Sequence, residues 1–265
     1  MKSFEIIDEE NNLNIGILLY YEKEKAFIIE LADGLDEWSA PLLFTKFVSQ
    51  GIYTIPRDAS LMWVKERVIP SGRQNIGAIL NNHKLKSYDE MKFLELSQGR
   101  CSQDSLFIKK ITELPSFVQK RNLQNLTDCV VLENSDILCF FADDSIKRIE
   151  LNTLPKSPDI TKVLNNDKLL ASCKLGVGGY YITFNDSIDI PAHLLYKHGK
   201  RIPLNSEDFH TYIKKNLFDT SEACKELGCT RQNLSYMVNQ GQIAPTKENV
   251  NGNLYTKGEL EKSRW

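Results

Sequence analysis

The sequence predicts an α+β fold in three parts: an N-terminal α+β lobe, a small α+β middle domain with β-hairpins, and an all-α C-terminal pair of helices. Three observations predict it. The opening region alternates apolar runs with charged turns, the centre joins β-forming segments through Asp-containing turns, and the tail carries capped amphipathic segments stopped by glycine. With 265 residues, 42% apolar and 26% charged, the chain is long enough for two or three domains of roughly 100 residues each. The patterning places them at residues 1–112, 127–203 and 210–265.

Strands are predicted at Ser3 to Ile7, Leu13 to Tyr20 and Ala26 to Leu31, separated by turns such as Glu22-Lys23-Glu24. Pro41 then opens a segment with Leu42, Leu43, Phe44, Phe47 and Val48 at helical spacing, closed by Gly51. Between residues 63 and 108, recurrence at i, i+3 and i+4 predicts two amphipathic helices. The run Trp63, Arg67, Pro70, Arg73, then Gly99-Arg100-Cys101-Ser102-Gln103-Asp104 and Phe107, resembles the small N-terminal lobe of HipA-type kinase toxins. The remaining chain has no room for a kinase domain. The resemblance therefore implies a solitary lobe whose role is to bind a protein partner. Polar Pro115 to Asn125 predicts a linker or a surface helix, and a domain boundary.

Ile137 to Phe141, the turn Ala142-Asp143-Asp144-Ser145, and Ile146 to Leu151 predict a hairpin. Tyr180 to Phe184, the turn Asn185-Asp186, and Ile188 to Ile190 predict a second, followed by Ala192 to Tyr196. The motifs from Phe141 to Leu151 and from Gly179 to Tyr196 resemble a small bacterial domain of unknown function that accompanies toxin-like genes. No catalytic residues come with it. Asp143, Asp144, Asp186 and Asp189 lie where turns favour Asp for its hydrogen bonds to nearby backbone. Gly176-Val177-Gly178-Gly179 lacks the Gly-Lys-Ser/Thr ending of a phosphate loop and leads into a strand, so it is expected to be a flexible connection. His193, His198 and His210 have no partners that would fix them as bases. The expectation is a protein that is not an enzyme.

Composition narrows the remaining classes. A formal net charge of −2 and a pI of about 6.1 give no whole-protein positive field, so any contact with DNA must be local. No apolar run is long enough for a membrane span, and the N-terminus lacks a signal-peptide pattern, which predicts a cytoplasmic protein with no membrane partner. Six cysteines without a Cys-x-x-Cys pair, and four histidines away from metal-ligand spacing, predict reduced, half-buried thiols, no metal and no cofactor. Cys224 and Cys229 are expected to serve as small packing residues.

The tail carries the strongest signal. Asp219 or Thr220 can cap a helix in which Ala223 and Leu227 face inward, and Gly228 ends it. Thr230 caps a second helix, Arg231 to Gln240, packed through Leu234, Met237 and Val238 and closed by Gly241. Its other face shows Arg231, Gln232, Asn233, Ser235, Tyr236 and Asn239, side chains able to meet base edges and phosphates. Gln242 to Pro245 and Asn253 to Thr256 bracket a loop with Lys247, Asn249, Asn251 and Gly252, predicting a β-hairpin wing before a final helix through Leu260 to Trp265.

The positions Glu222, Ala223, Leu227, Gly228, Cys229, Thr230, Arg231, Leu234, Gly241, Ile243 and Tyr255 resemble the winged helix-turn-helix of the excisionase and MerR-type families. That resemblance implies a module that binds double-stranded DNA. The candidate contacts are Thr230, Arg231, Gln232, Asn233, Ser235, Tyr236 and Asn239, with Lys247 holding phosphate. From His210 to Trp265, eight Lys and Arg face six Asp and Glu. This margin is thin for phosphate neutralisation, so a homodimer or a partner adding contacts is expected. The reading is a DNA-binding transcriptional regulator of antitoxin type that docks on an operator and binds a protein partner, such as a toxin, through its front domains. The alternative is a non-enzymatic interaction or immunity protein whose helix-turn-helix is an interaction fold. A hydrolase or nuclease built on the Asp-rich turns lacks a convergent set of groups.

Overall fold

The computed structural model describes residues 1–132, 134–248 and 252–265. Helices and antiparallel sheets occur together, so the chain is an α+β protein. It divides into two compact units, Met1–Gln119 and Lys120–Trp265. The middle region and the tail share the second.

In the first unit, β1 (Lys2–Asp8), β2 (Leu13–Tyr21) and β3 (Ala26–Leu31) form where apolar runs meet charged turns. Then come α1 (Thr45–Ser49), β4 (Thr54–Ile55), α2 (Arg57–Arg67), α3 (Ile76–Asn82), α4 (Glu90–Ser97) and β5 (Leu106–Ile111). The antiparallel sheet has the order β4-β3-β2-β1-β5. At Gly16 a Cβ would collide with the Glu30 carbonyl on β3. Opposite it, the register shifts between Ile6 and Ile7, so a bulge and a glycine bend the sheet at one point. Trp63 and Val64 of α2, Met91 and Leu94 of α4, and Phe44 fill the core on this sheet. Ser60 pins α2 to the sheet, its hydroxyl accepting from Ile29 N at 3.1 Å and donating to Ile55 O at 3.1 Å.

Two expectations for this unit change. The two helices predicted between residues 63 and 108 are three, followed by β5, because Leu106 and Ile108 bury as an edge strand along β1. The helix expected from Pro41 begins only at Thr45, and Leu42 faces solvent at 96% exposure.

Helix α5 (Ser116–Asn122) spans the division between the units. The second unit continues with β6 (Leu126–Val131), β7 (Ile137–Phe141), β8 (Ile146–Ile149), α6 (Pro158–Leu164), α7 (Asp167–Ala171), β9 (Cys173–Leu175), β10 (Tyr181–Phe184), β11 (Ile188–Pro191), α8 (Ala192–His198), β12 (Lys200–Arg201) and α9 (Ser206–Asn216). Both hairpins of the middle region form, within sheets ordered β12-β8-β7-β6 and β11-β10-β9. Their core joins Ile137, Phe141, Phe184 and Leu195. The glycine run before β10 is packed instead of flexible: Gly176, Val177 and Gly179 are buried, and a Cβ on Gly179 would collide with Leu126 O.

The tail holds β13 (Leu217–Phe218), α10 (Thr220–Leu227), α11 (Arg231–Asn239), β14 (Tyr255–Thr256) and α12 (Lys257–Lys262). It is not all-α, because β13 pairs with β14, Leu217 opposite Thr256 and Phe218 opposite Tyr255. The predicted wing changes with it. Tyr255 and Thr256 pair with the strand that precedes α10, and among the described residues the loop arms meet at the Lys247–Leu254 bridge. Pro245, on the first arm, has no N–H to give a ladder. Asn249 and Asn251 of that loop lie outside the described residues.

Candidate nucleic-acid interface

The two helices of the tail are held by their own ends. Asp219 Oδ1 accepts from Ser221 N at 2.7 Å and Glu222 N at 2.8 Å, while Glu222 Oε2 accepts from Asp219 N at 3.0 Å, a reciprocal capping box. Gly228, at φ +63°, ends α10 in the left-handed region. Thr230 Oγ1 accepts from Asn233 N at 3.3 Å and starts α11. Beneath them Ala223, Leu234, Ile243, Tyr255 and Leu260 form a small core, with Leu227, Cys224, Cys229, Met237 and Val238 packed at its edge.

This packing fixes which face of α11 is outward. Leu234 is buried, Met237 and Val238 are half-buried, and Arg231, Gln232, Asn233, Ser235, Tyr236 and Asn239 are exposed, Tyr236 at 58%. Thr230 and Lys247 are exposed as well. The positions 231, 232, 235, 236 and 239 follow the helical repeat, so they share one face. Arg231 does not stand alone on it: its Nη2 donates to Ser221 Oγ at 2.9 Å, tying the first turn of α11 to the first turn of α10. Thr230 spends an acceptor position of its hydroxyl on the cap.

Several basic side chains of the tail are engaged within the protein. Lys257 donates to Cys173 O at 3.3 Å and Lys215 to Val131 O at 2.6 Å. Arg264 lies 3.5 Å from Glu226 and Lys262 lies 3.9 Å from Glu259. The acidic side is also smaller than the sequence count. Glu261 is buried, and desolvation pushes its carboxyl up to about 7.

Sequence reasoning missed the polar anchor around Glu261. Glu261 Oε2 accepts from Leu175 N at 3.0 Å on β9. Asp128 on β6 is buried, accepting from Cys129 N at 2.8 Å, Asn216 Nδ2 at 2.9 Å, Tyr212 OH at 3.0 Å and Gly258 N at 3.3 Å. Burial raises the Asp128 carboxyl and, with the Asp128 charge beside it, the Tyr212 hydroxyl. These residues fasten α9 and α12 to the sheets. A carboxylate inside a short helix carries no periodic signal distinguishing it from a solvated one, so only the three-dimensional arrangement reveals it.

The other candidates are structural by geometry. Asp143 Oδ1 accepts from Ser145 N at 3.0 Å and Ser145 Oγ at 2.6 Å, and its Oδ2 accepts from Tyr196 OH at 2.7 Å. Asp186 lies 3.7 Å from Lys174. His193 is lowered by burial. Among the described residues no three His, Cys, Asp or Glu side chains form a group that could hold a metal ion. Cys129, Cys139 and Cys173 are fully buried instead of half-buried.

No protein-family model matches the chain, and no curated protein or solved structure matches it either.

Proposed function

We propose that the chain is a DNA-binding transcriptional regulator of antitoxin type, cytoplasmic, docking α11 on double-stranded operator DNA and binding a protein partner through its N-terminal region. The observation that carries this reading is the exposed face of α11, a row of hydrogen-bonding side chains on a helix capped at both neighbouring ends. Arg231 and Gln232 stand in the first turn, the part of a recognition helix that meets base edges. Tyr236 and Asn239 extend the row, and Lys247 supplies a phosphate contact. The tail's local charge is modest, so affinity is expected to depend on a second copy or a partner.

The test is a gel shift of the full chain on DNA from its own promoter at low salt. An Arg231→Ala, Gln232→Ala double variant is expected to weaken binding at least tenfold, since a good base contact is worth about 1–3 kcal/mol. No shift, or an unchanged affinity in the double variant, overturns the reading.

A second reading, an interaction protein whose helix-turn-helix is not a DNA reader, is favoured by one observation. Lys215, Lys257, Lys262 and Arg264 all make contacts within the protein. Point variants on α11 separate the two readings better than removal of the tail, because Trp265 packs on the middle-region core and truncation would expose it.

A further inference from the structure

A cavity of about 840 Å³ opens in the first unit, between the β1–β2 turn, α2, the segment from Asp36 to Leu43 and the start of β5. Its rim carries Trp38 at 93% exposure and Leu42 at 96%. Either alone would be ordinary on a protein surface; here both border one concavity. The Asp36 carboxylate holds the turn that presents Trp38, its Oδ1 accepting from Trp38 N at 3.0 Å, Ser39 N at 2.8 Å and Ser39 Oγ at 2.7 Å.

The lining is acidic. Among the described residues Arg67 is the one cation of this lining, and it is paired with Asp104 while its guanidinium stacks 4.1 Å from the Trp63 ring centroid. Asp8, Asp36 and Glu66 remain in the lining without a basic side chain to balance them. Trp63 and Arg67, both buried, each carry an N–H with no acceptor, Trp63 Nε1 and Arg67 Nε. Buried donors of this kind are rare and call for an acceptor.

We propose that this cavity docks a basic, apolar peptide segment of a partner protein. Its Lys or Arg side chains face Asp8, Asp36 and Glu66, and an apolar side chain covers Trp38 and Leu42. Charge complementarity selects this occupant: the same carboxylates repel nucleic acid and acidic peptides. The inference rests on the partner-binding half of the proposed function and is independent of the DNA-binding half.

The test is calorimetry of the full chain with three synthetic twelve-residue peptides, of alternating Lys and Leu, Glu and Leu, and Lys and Gly. The Lys/Leu peptide is expected to bind at least tenfold more tightly than the other two. A Trp38→Ala, Leu42→Ser variant should lose at least tenfold of that affinity. A Glu66→Gln, Asp36→Asn variant, which keeps the Oδ1 acceptor of the turn, should lose about fivefold and bind with a shallower salt dependence. Absence of Lys/Leu binding, equal binding of the three peptides, or full affinity in both variants overturns the proposal. If a partner is captured equally by wild type and by the Trp38→Ala, Leu42→Ser variant, the cavity is excluded while the partner-binding reading stands.

Discussion

Glu261 and Gly258 show how far single positions in α12 govern the second unit. The folded-state carboxyl of Glu261 is raised to about 7 from an ordinary 4.5 by desolvation, with Asp128 and Glu226 adding to the rise and Lys257 opposing it. The folded state therefore holds the proton more tightly than the unfolded state. Its contribution to stability is complete below pH 4.5 and is lost as pH rises through 7, at most about 3 kcal/mol from the shift. Asp128, raised by burial, acts in the same direction. Thermal unfolding of the full chain should show a lower Tm at pH 8 than at pH 5.5, and Glu261→Gln should flatten that slope, since its amide oxygen still accepts from Leu175 N. At Gly258 a Cβ would lie 2.5 Å from Thr127 O and 2.7 Å from Asp128 Cγ. Gly258→Ala is expected to cost about 1–3 kcal/mol, as overpacking does, read as a lower denaturant midpoint. The thiols add a third check. Cys129, Cys139 and Cys173 are buried; the hydrogen bond with Cys173, together with burial, raises the Cys129 thiol, and burial raises Cys139, so a thiol reagent should reach these three only after unfolding.

Elements differed in how much of themselves they wrote into the sequence. Strands β1 to β3 and the hairpins β7–β8 and β10–β11 were legible because local alternation and Asp- or Asn-bearing turns state both their period and their ends. Helices α10 and α11 were legible for the same reason, with Asp219, Glu222, Gly228 and Thr230 marking each boundary by side-chain chemistry. Replacing Asp219 by Ala should cost about 1 kcal/mol, measurable by denaturant titration, because one side chain satisfies two orphan N–H groups. What failed to show was non-local. Strand β5 is an edge strand whose short apolar pattern reads equally as helix until β1 lies beside it. Strand β14 pairs with β13 across the whole helix-turn-helix, a partner some forty residues away that no turn signal announces. The glycines at 176 to 179 read as flexible because sequence shows missing side chains and not the Tyr181 ring against Gly176 or the Leu126 carbonyl against Gly179. The polar face of α11 was visible in advance; its tether from Arg231 to Ser221 and the Asp128 and Glu261 anchors were not, since each joins residues from different elements.

At the scale of the molecule, the tail is built as part of the second unit, which shares its polar contacts between sheets and α12. On the proposed DNA-binding reading, α11 carried on a fixed body would lose little freedom on binding, which would offset in part its low local charge. The first unit has its own sheet, core and acidic cavity. No helix among the described residues is long and apolar enough to cross a membrane. Whether α11 reads DNA is decided by an anisotropy titration of the full chain against its own promoter DNA and an unrelated duplex over a range of salt. If it does, binding is tighter to the promoter, affinity falls with salt, and the salt slope is smaller by about 1 in Lys247→Ala. Equal affinity for both duplexes, or a promoter affinity that Arg231→Ala, Gln232→Ala leaves unchanged, would contradict it.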